Sequence, residues 1–349
     1  MMKAKGLFII MRFYPILLLL SLLASPILAS VLQLHLPTSN TAIFNQRSND
    51  FFMYVDRSFE GKSSKPWQAG TYGFVRNLKR VKGGVIGTRF HEGADIKPVK
   101  RDQNGKPLDL VRAVCRGKVV HVNDESRASN YGKYVVLEHN WGEGPIYSLY
   151  AHLQSITCKV GDLVQAKESI GVLGYTGVGL NKKRAHLHFE MALRLSDDFE
   201  SWHQKRYNTS SKHGNYNGLN LTGIDAIAFI QEVRAKKVTT LKQFLRKQPS
   251  YYSILIPSEK MQSFKRRYAW LWEHPNEKTQ SVKVMFSASG LPLRIFPGVR
   301  SVAEPEVSHI KHIMGRYEDR TIGRISGTGD QVKITARGKR YLALLMGES

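Results

Sequence analysis

The chain has 349 residues, which is room for one large domain or two of ordinary size. Hydrophobic residues make up 42% of it, enough to bury a normal core, so a largely disordered protein is excluded. The formal net charge of +24 indicates anionic partners and carries no information about the fold.

Residues 1–29 have the layout of a secretory signal peptide. Lys3, Lys5 and Arg12 precede an apolar run that ends in small residues near Ala29. The alternative is an uncleaved membrane anchor, but the apolar run is short for a span of about 20 residues. We therefore expect export to the periplasm or the cell surface, with membrane association only if the segment stays uncleaved.

Cys115 and Cys158 are the only cysteines. In an exported protein such a pair permits one disulfide, and two buried free thiols are the alternative. Two cysteines cannot form a four-sulfur zinc site.

Residues 30–75 form an N-terminal extension of mixed character. From about residue 76, short β-branched and aromatic runs alternate with glycine turns, which predicts an antiparallel β domain over 76–232. The runs are "GGVIGTRF", "GKVVHV", "GKYVVLEH", "IYSLYAHL", "KVGDLV", "SIGVLGYTG" and "AHLHFEMAL". A polar insert over 97–111 follows the first of them and is expected to lengthen a loop and reshape any cleft nearby.

Residues 223–249 have an apolar stripe at helical spacing and predict one or two helices that stop at Pro249. Their second part, 233–249, is assigned as a basic helical linker. Residues 250–349 are predicted to form a smaller C-terminal domain, α+β or β, with strand-like runs "SVKVMF" and "GDQVKITARGKRYLALL".

Positive charge is concentrated at the C-terminal end of the chain. Residues 232–349 contain 22 Lys or Arg and 10 Asp or Glu, a net +12. The stretch "FKRRYAWLW" places Tyr268, Trp270 and Trp272 beside three basic residues. We expect the region to hold the protein on an anionic envelope polymer. The alternative for the tryptophans is a place in the core.

His186 and His188 lie one residue apart in an otherwise apolar run. On a strand, alternate side chains share a face, so both imidazoles point to one place. Histidine is a common zinc ligand, and catalytic zinc usually has three protein ligands and one open position for water. The pair therefore predicts half of a zinc site.

His91 and Asp95 provide candidates for the remaining ligands. Four residues apart, they would share one face of a helix, as in the HExxH pattern of zinc proteases. Gly93 between them argues against a helix, and on an extended segment they share a face as well. His152 ends an apolar run and is a further candidate.

Four segments in this order and spacing resemble the lysostaphin/LytM-type zinc endopeptidases that cut peptidoglycan: "GTRFHEGADI", "SLYAHL", "VGDLV…IGVLGYTG" and "RAHLHFEM". The resemblance covers residues 76–195, extends to about 232, and implies a mainly β, antiparallel metallopeptidase domain. It implies Zn²⁺ on His91, Asp95 and His188, and a catalytic pair in His152 and His186. Glu190 is expected to brace the strand or a side chain next to the ligands, and not to bind zinc.

The resemblance implies an exported zinc endopeptidase that hydrolyses peptide cross-bridges of peptidoglycan. Zinc would activate a water molecule, and the two histidines would transfer protons and stabilise the oxyanion. One alternative is a non-catalytic LytM-like module that binds the wall and activates another hydrolase. A nucleic-acid binder is the other, but export argues against it, so no nucleic acid is expected as a partner.

Overall fold

The computed structural model describes residues 32–312 and 315–348. The predicted signal peptide, residues 1–29, lies outside them. Within the described ranges, no helix is both long enough and apolar enough to cross a bilayer. Residues 32–348 belong to one compact unit.

The fold is mainly antiparallel β, as predicted. The strands are β1 Arg57–Phe59, β2 Lys62–Ser64, β3 Gly73–Val81, β4 Gly84–His91, β5 Ala94–Ile96, β6 Leu110–Arg112, β7 Gly117–Asn123, β8 Lys133–Asn140, β9 Pro145–Ile156, β10 Leu163–Val164, β11 Ser169–Leu173, β12 Leu187–Arg194, β13 Leu221–Ile224, β14 Tyr252–Pro257, β15 Ser281–Phe286, β16 Pro292–Pro297, β17 Glu306–Ile310, β18 Ile325–Thr328 and β19 Gln331–Ile334. The helices are α1 Ser48–Phe51, α2 Phe199–Tyr207, α3 Ala226–Arg234, α4 Leu241–Lys247, α5 Gln262–Tyr268 and α6 Ala336–Met346.

A nine-stranded antiparallel sheet is formed by β5 to β13, between Ala94 and Ile224. Its strands run in the order β10-β7-β8-β9-β11-β6, and β12 pairs with β9, β5 and β13. Strand β8 shows why this sheet forms. Val135 and Leu137 belong to the main hydrophobic cluster, whereas Tyr134 and Val136 belong to a smaller cluster on the other face. Alternation with both faces covered is what a central strand requires.

Two helices, α3 and α4, form within the segment 223–249. Asp225 caps α3 by accepting a hydrogen bond from the Ala228 N–H at 3.0 Å, and Thr240 caps α4 from the Gln243 N–H. The second helix ends at Lys247, before Pro249, as the sequence predicts.

The C-terminal part contains a four-stranded sheet in the order β16-β15-β14-β17, a β18-β19 hairpin and α6. The run "SVKVMF" is β15. The prediction that the whole run from residue 329 is a strand is wrong. The strand ends at Ile334, and a helix begins at Ala336. Thr335 caps that helix by accepting a hydrogen bond from the Gly338 N–H at 3.0 Å, and every residue from Tyr341 to Met346 is buried.

One hydrophobic cluster joins residues on both sides of Pro249, among them Phe189, Phe229, Tyr268 and Leu345. Tyr268 is fully buried, Trp272 is 5% exposed, and Trp270 packs partly buried against the cluster. These aromatic side chains are therefore core residues, which is the alternative reading of "FKRRYAWLW". The division of the chain into domains at 76, 232 and 250 stays a prediction.

Cys115 and Cys158 are both free thiols. Cys115 is buried, with its Sγ 3.1 Å from Nδ1 of His139. Cys158 is half-buried, and its Sγ lies 3.8 Å from the Ile170 carbonyl oxygen. The disulfide that the sequence permits between these two residues is therefore not formed in the described part of the chain.

Candidate metal centre

His91, Asp95 and His188 converge on one buried point. His91 ends β4, Asp95 lies in β5, and His188 lies directly opposite Asp95 in the antiparallel pair β5-β12. Asp95 Oδ1 is 3.0 Å from His91 Nε2 and 3.0 Å from His188 Nδ1, and the two nitrogens are 3.1 Å apart. The segment from His91 to Asp95 is extended, which is the reading that the sequence favoured over a helix.

Hydrogen bonds on the far side of each imidazole determine which nitrogen faces this point. His91 Nδ1–H donates to the Thr71 carbonyl at 2.8 Å, and His188 Nε2–H donates to Glu190 Oε1 at 2.8 Å. The facing nitrogens then present lone pairs to each other and to the carboxylate oxygen. A cation between these three atoms would be coordinated by all of them, because tetrahedral zinc separates its ligand atoms by about 3.3 Å, close to the 3.0–3.1 Å found here. The residues fit zinc.

Asp95 is held in one orientation by an arginine. Arg76 Nη2 donates to Asp95 Oδ2 at 2.5 Å, and its Nε donates to the Ala69 carbonyl at 2.8 Å. Only Oδ1 therefore faces the histidines. Burial alone would raise the pKa of Asp95, but the neighbouring His91 and His186 lower it well below its usual range. The carboxylate is ionised at neutral pH.

Glu190 accepts hydrogen bonds from the His188 imidazole at 2.8 Å and from the Tyr131 hydroxyl at 2.7 Å, so it supports a candidate ligand, which the sequence did not predict. Burial would lower the pKa of His188, but the hydrogen bonds and charges of Asp95 and Glu190 raise it to about 10. The two carboxylates thus create a pocket that favours positive charge, which a metal ion supplies.

His152 and His186 stand together beside the three candidate ligands. Their ring centroids are 4.9 Å apart, and that of His152 is 5.7 Å from His188. His152 Nδ1–H donates to the Thr176 carbonyl at 2.9 Å and His186 Nδ1–H to the Arg184 carbonyl at 2.6 Å. Each imidazole therefore presents Nε2 to the site.

Burial, and then the neighbouring His186 and His188, lower the pKa of His152 well below its usual range. A neutral His152 can accept a proton at Nε2. His186 Nε2 lies 3.4 Å from Asp95 Oδ1. The pair can accept a proton at one position and donate one at the other.

A bulge in β9 directs His152 into the site. Tyr150 pairs with Val135 and Leu153 with Lys133, so β9 has one extra residue here. His152 has φ of 64°, in the left-handed region that non-glycine residues rarely adopt. Its N–H donates to the Tyr131 carbonyl at 2.9 Å. Strain of this kind is typical of functional positions.

The candidate centre lies in a cleft of about 1000 Å³. One wall comes from the N-terminal extension at residues 55–58, and others come from residues 129–131, 178–180 and 217–219. None of the described residues of the polar insert, 97–111, lines the cleft, contrary to the expectation that it reshapes the site. The sequence offered no signal for the wall at 55–58 or for Arg76.

Comparisons with known proteins support the resemblance inferred from the sequence. Residues 89–198 match the model of peptidase family M23, which confirms that resemblance for this segment. A search of curated proteins finds no match.

Three solved structures are similar to parts of the chain. The catalytic domain of lysostaphin from Staphylococcus simulans is 24% identical, with 53% of this chain and 96% of that one covered and a TM-score of 0.28. The catalytic domain of a prophage-encoded M23 protein, EnpA, from Enterococcus faecalis is 24% identical, with 40% of this chain and 79% of that one covered and a TM-score of 0.25. A zinc-containing peptidase from Vibrio cholerae is 23% identical, with 38% of this chain and 41% of that one covered and a TM-score of 0.23. At these TM-scores the likenesses carry no weight for the function.

Proposed function

We propose that the segment matching peptidase family M23, residues 89–198, is the catalytic part of an exported zinc endopeptidase that hydrolyses peptide cross-bridges of bacterial peptidoglycan. The observation that carries the proposal is the convergence of His91, Asp95 and His188, with His152 and His186 beside them in an open cleft. A structural zinc site is closed by four protein ligands, whereas three ligands beside a cleft are typical of catalytic zinc.

A zinc ion would be held by His91 Nε2, Asp95 Oδ1 and His188 Nδ1. Zinc bound there supplies Lewis-acid chemistry, because it activates water and polarises a carbonyl group. His152 Nε2 accepts the proton of the attacking water, since its lowered pKa keeps the imidazole neutral. A proton on His186 Nε2 is donated to the developing oxyanion or to the leaving amine. Their Nδ1 hydrogen bonds keep both rings aimed at the substrate.

The alternative function is a non-catalytic module that binds the wall and activates another hydrolase. Such a module has no need for a buried carboxylate beside four histidines, because unpaired buried charges are costly. The aspartate and the four histidines are all present here, and each histidine is oriented by a hydrogen bond from its outward-facing nitrogen. These features favour an enzyme.

The first test is metal content. We expect one zinc per chain in the purified protein and loss of that zinc in Asp95→Ala, since the carboxylate is the anionic ligand shared by both histidines. Metal analysis by mass spectrometry measures this, with the exposed His274→Ala as the control. Full zinc occupancy in Asp95→Ala would refute the ligand assignment.

The second test is turnover. His152→Ala and His186→Ala should keep zinc and lose roughly 10²–10⁴-fold in the rate of peptidoglycan digestion, the usual value of a placed proton-transfer group. Mass analysis of the digested wall identifies the bond that is cut. Normal turnover in either variant would remove that histidine from the mechanism.

The excess positive charge supports a further part of the proposal, attraction to anionic envelope polymers. Much of the net +12 of residues 232–349 is on exposed side chains such as Lys278, Arg300 and Lys311. Attraction between exposed charges is screened over about 8 Å at physiological salt. Binding to intact walls should therefore weaken as salt rises.

A further inference from the structure

A side pocket of about 330 Å³ opens off the catalytic cleft where the C-terminal part of the chain meets the sheet. Glu92, Gly218 and Leu219 line both the pocket and the cleft, so the pocket lies directly beside the cleft. A substrate that lies beside the candidate metal centre can extend a group into this pocket. The family match at 89–198 does not include the C-terminal residues that line it.

Three arginines line the side pocket: Arg324, Arg337 and Arg340. Arg324 is fixed, since its Nη1 donates to the Ser289 carbonyl and its guanidinium stacks 3.8 Å from the centroid of the Tyr341 ring. Arg337 and Arg340 are exposed on the first turns of α6. Among the described residues, no carboxylate lies within ion-pair distance of any of the three.

The rest of the pocket wall is largely apolar. Trp202 forms part of it and is 4% exposed, with its Nε1–H closed to solvent. Among the residues that the structure describes, Glu92 is the only acid on the pocket wall, where the pocket meets the cleft.

We propose that this side pocket binds a carboxylate of the peptide substrate and so selects stem peptides with a free acid over their amides. The inference rests on the proposed function and specifies which group of the substrate the pocket binds. Guanidinium groups are suited to carboxylates because their N–H donors match the two oxygens. The C-terminal part of the chain then contributes to substrate recognition and not only to attachment.

The test uses an uncrosslinked stem peptide, which cannot be cleaved, and the same peptide with its carboxylates converted to carboxamides. We expect the protein to bind the acid about fivefold more tightly or better, measured by calorimetry at low salt. The double variant Arg337→Gln/Arg340→Gln should lose this preference. The control Lys339→Gln/Lys333→Gln removes the same charge from neighbouring exposed positions outside the pocket and should keep it.

Equal affinity for the two peptides would overturn the proposal, and so would equal loss of preference in the control variant, because net charge alone would then explain the binding. Cleavage of crosslinked wall is measured separately. Cleavage without a preference for the acid refutes the side pocket and leaves the peptidase assignment. A preference for the acid without cleavage supports the pocket and refutes the peptidase.

Discussion

Glu190 and Arg76 act on the candidate metal centre from opposite sides. Glu190 accepts a hydrogen bond from Nε2–H of His188, whereas Arg76 donates a hydrogen bond to Oδ2 of Asp95. One carboxylate makes an imidazole a stronger donor to a metal, and the guanidinium limits the other carboxylate to a single oxygen. Both residues determine the orientation of a ligand without contacting the metal position.

Loss of the Glu190 carboxylate should weaken zinc binding. We expect the zinc affinity of Glu190→Ala to fall about 10–100-fold, because His188 loses the acceptor that fixes its ring. Competition with a chromophoric chelator measures the affinity. Glu277→Ala is the control, since Glu277 is an exposed carboxylate that does not line the cleft. An unchanged affinity in Glu190→Ala would show that His188 is oriented by the strand alone.

The sequence identified five residues of the site and missed others for a physical reason. The pair His186 and His188 is unusual in an apolar run, whereas His91, Asp95 and His152 stand out from other polar residues only through the resemblance of four segments to one family. Arg76 is one of 52 basic residues, and its role depends on a bulge in β3, where Phe74 pairs with Phe90 and Arg76 with Arg89. No local pattern marks such a bulge.

Strand pairing between β5 and β12 brings the ligands together, and Gly93 permits it. A Cβ atom at Gly93 would lie 2.4 Å from the Phe189 carbonyl oxygen and 2.8 Å from Cγ of Glu190. Contacts that short require the β5 backbone to move away from β12. The glycine that argued against a helix in the sequence is thus also required by the close approach of two strands.

Gly93→Ala should therefore lower zinc affinity and thermal stability together. The displacement of β5 moves Asp95 away from His188, and overpacking against backbone costs about 1–3 kcal/mol. Calorimetric unfolding and chelator competition on the same samples measure both effects. A variant with normal stability and normal zinc affinity would show that β5 can shift without disturbing the ligands.

Most strands of the main sheet could be predicted because their patterns are local. The run "GKVVHV" is contained in β7 and "GKYVVLEH" largely coincides with β8. Helix α6 could not be predicted so well, because "VKIT" continues into it without a glycine or proline to separate strand from helix. The Thr335 cap marks the boundary, but its effect depends on a hydrogen bond that the sequence does not show.

At the scale of the whole molecule, residues beyond Pro249 complete the packing of the sheet. The Tyr268 hydroxyl accepts from the Arg194 N–H at 2.9 Å and donates to the Pro145 carbonyl at 3.1 Å. Arg267 Nη2 donates to the Leu195 carbonyl. These bonds join α5 directly to the ends of β9 and β12.

A chain that ends at Pro249 should consequently be unstable. It would expose the apolar surface that Tyr268, Trp272 and Leu345 cover, and each such side chain contributes about 1.5–3 kcal/mol when buried. We expect lower solubility and a lower unfolding temperature than in the full chain, as measured by calorimetry and sedimentation. A truncated protein with unchanged stability would support the sequence-based division into separable domains.

The shared core has a consequence for timing. Phe189, next to two histidines of the site, belongs to the same hydrophobic cluster as Leu345, which lies near the C-terminal end of the described chain. Contacts between residues so far apart in sequence form late and slowly. A refolding chain therefore brings the residues of the candidate metal centre together before its shared core is complete. We expect peptidase activity to recover only as fast as α6 packs, which stopped-flow fluorescence and activity measured on the same samples compare.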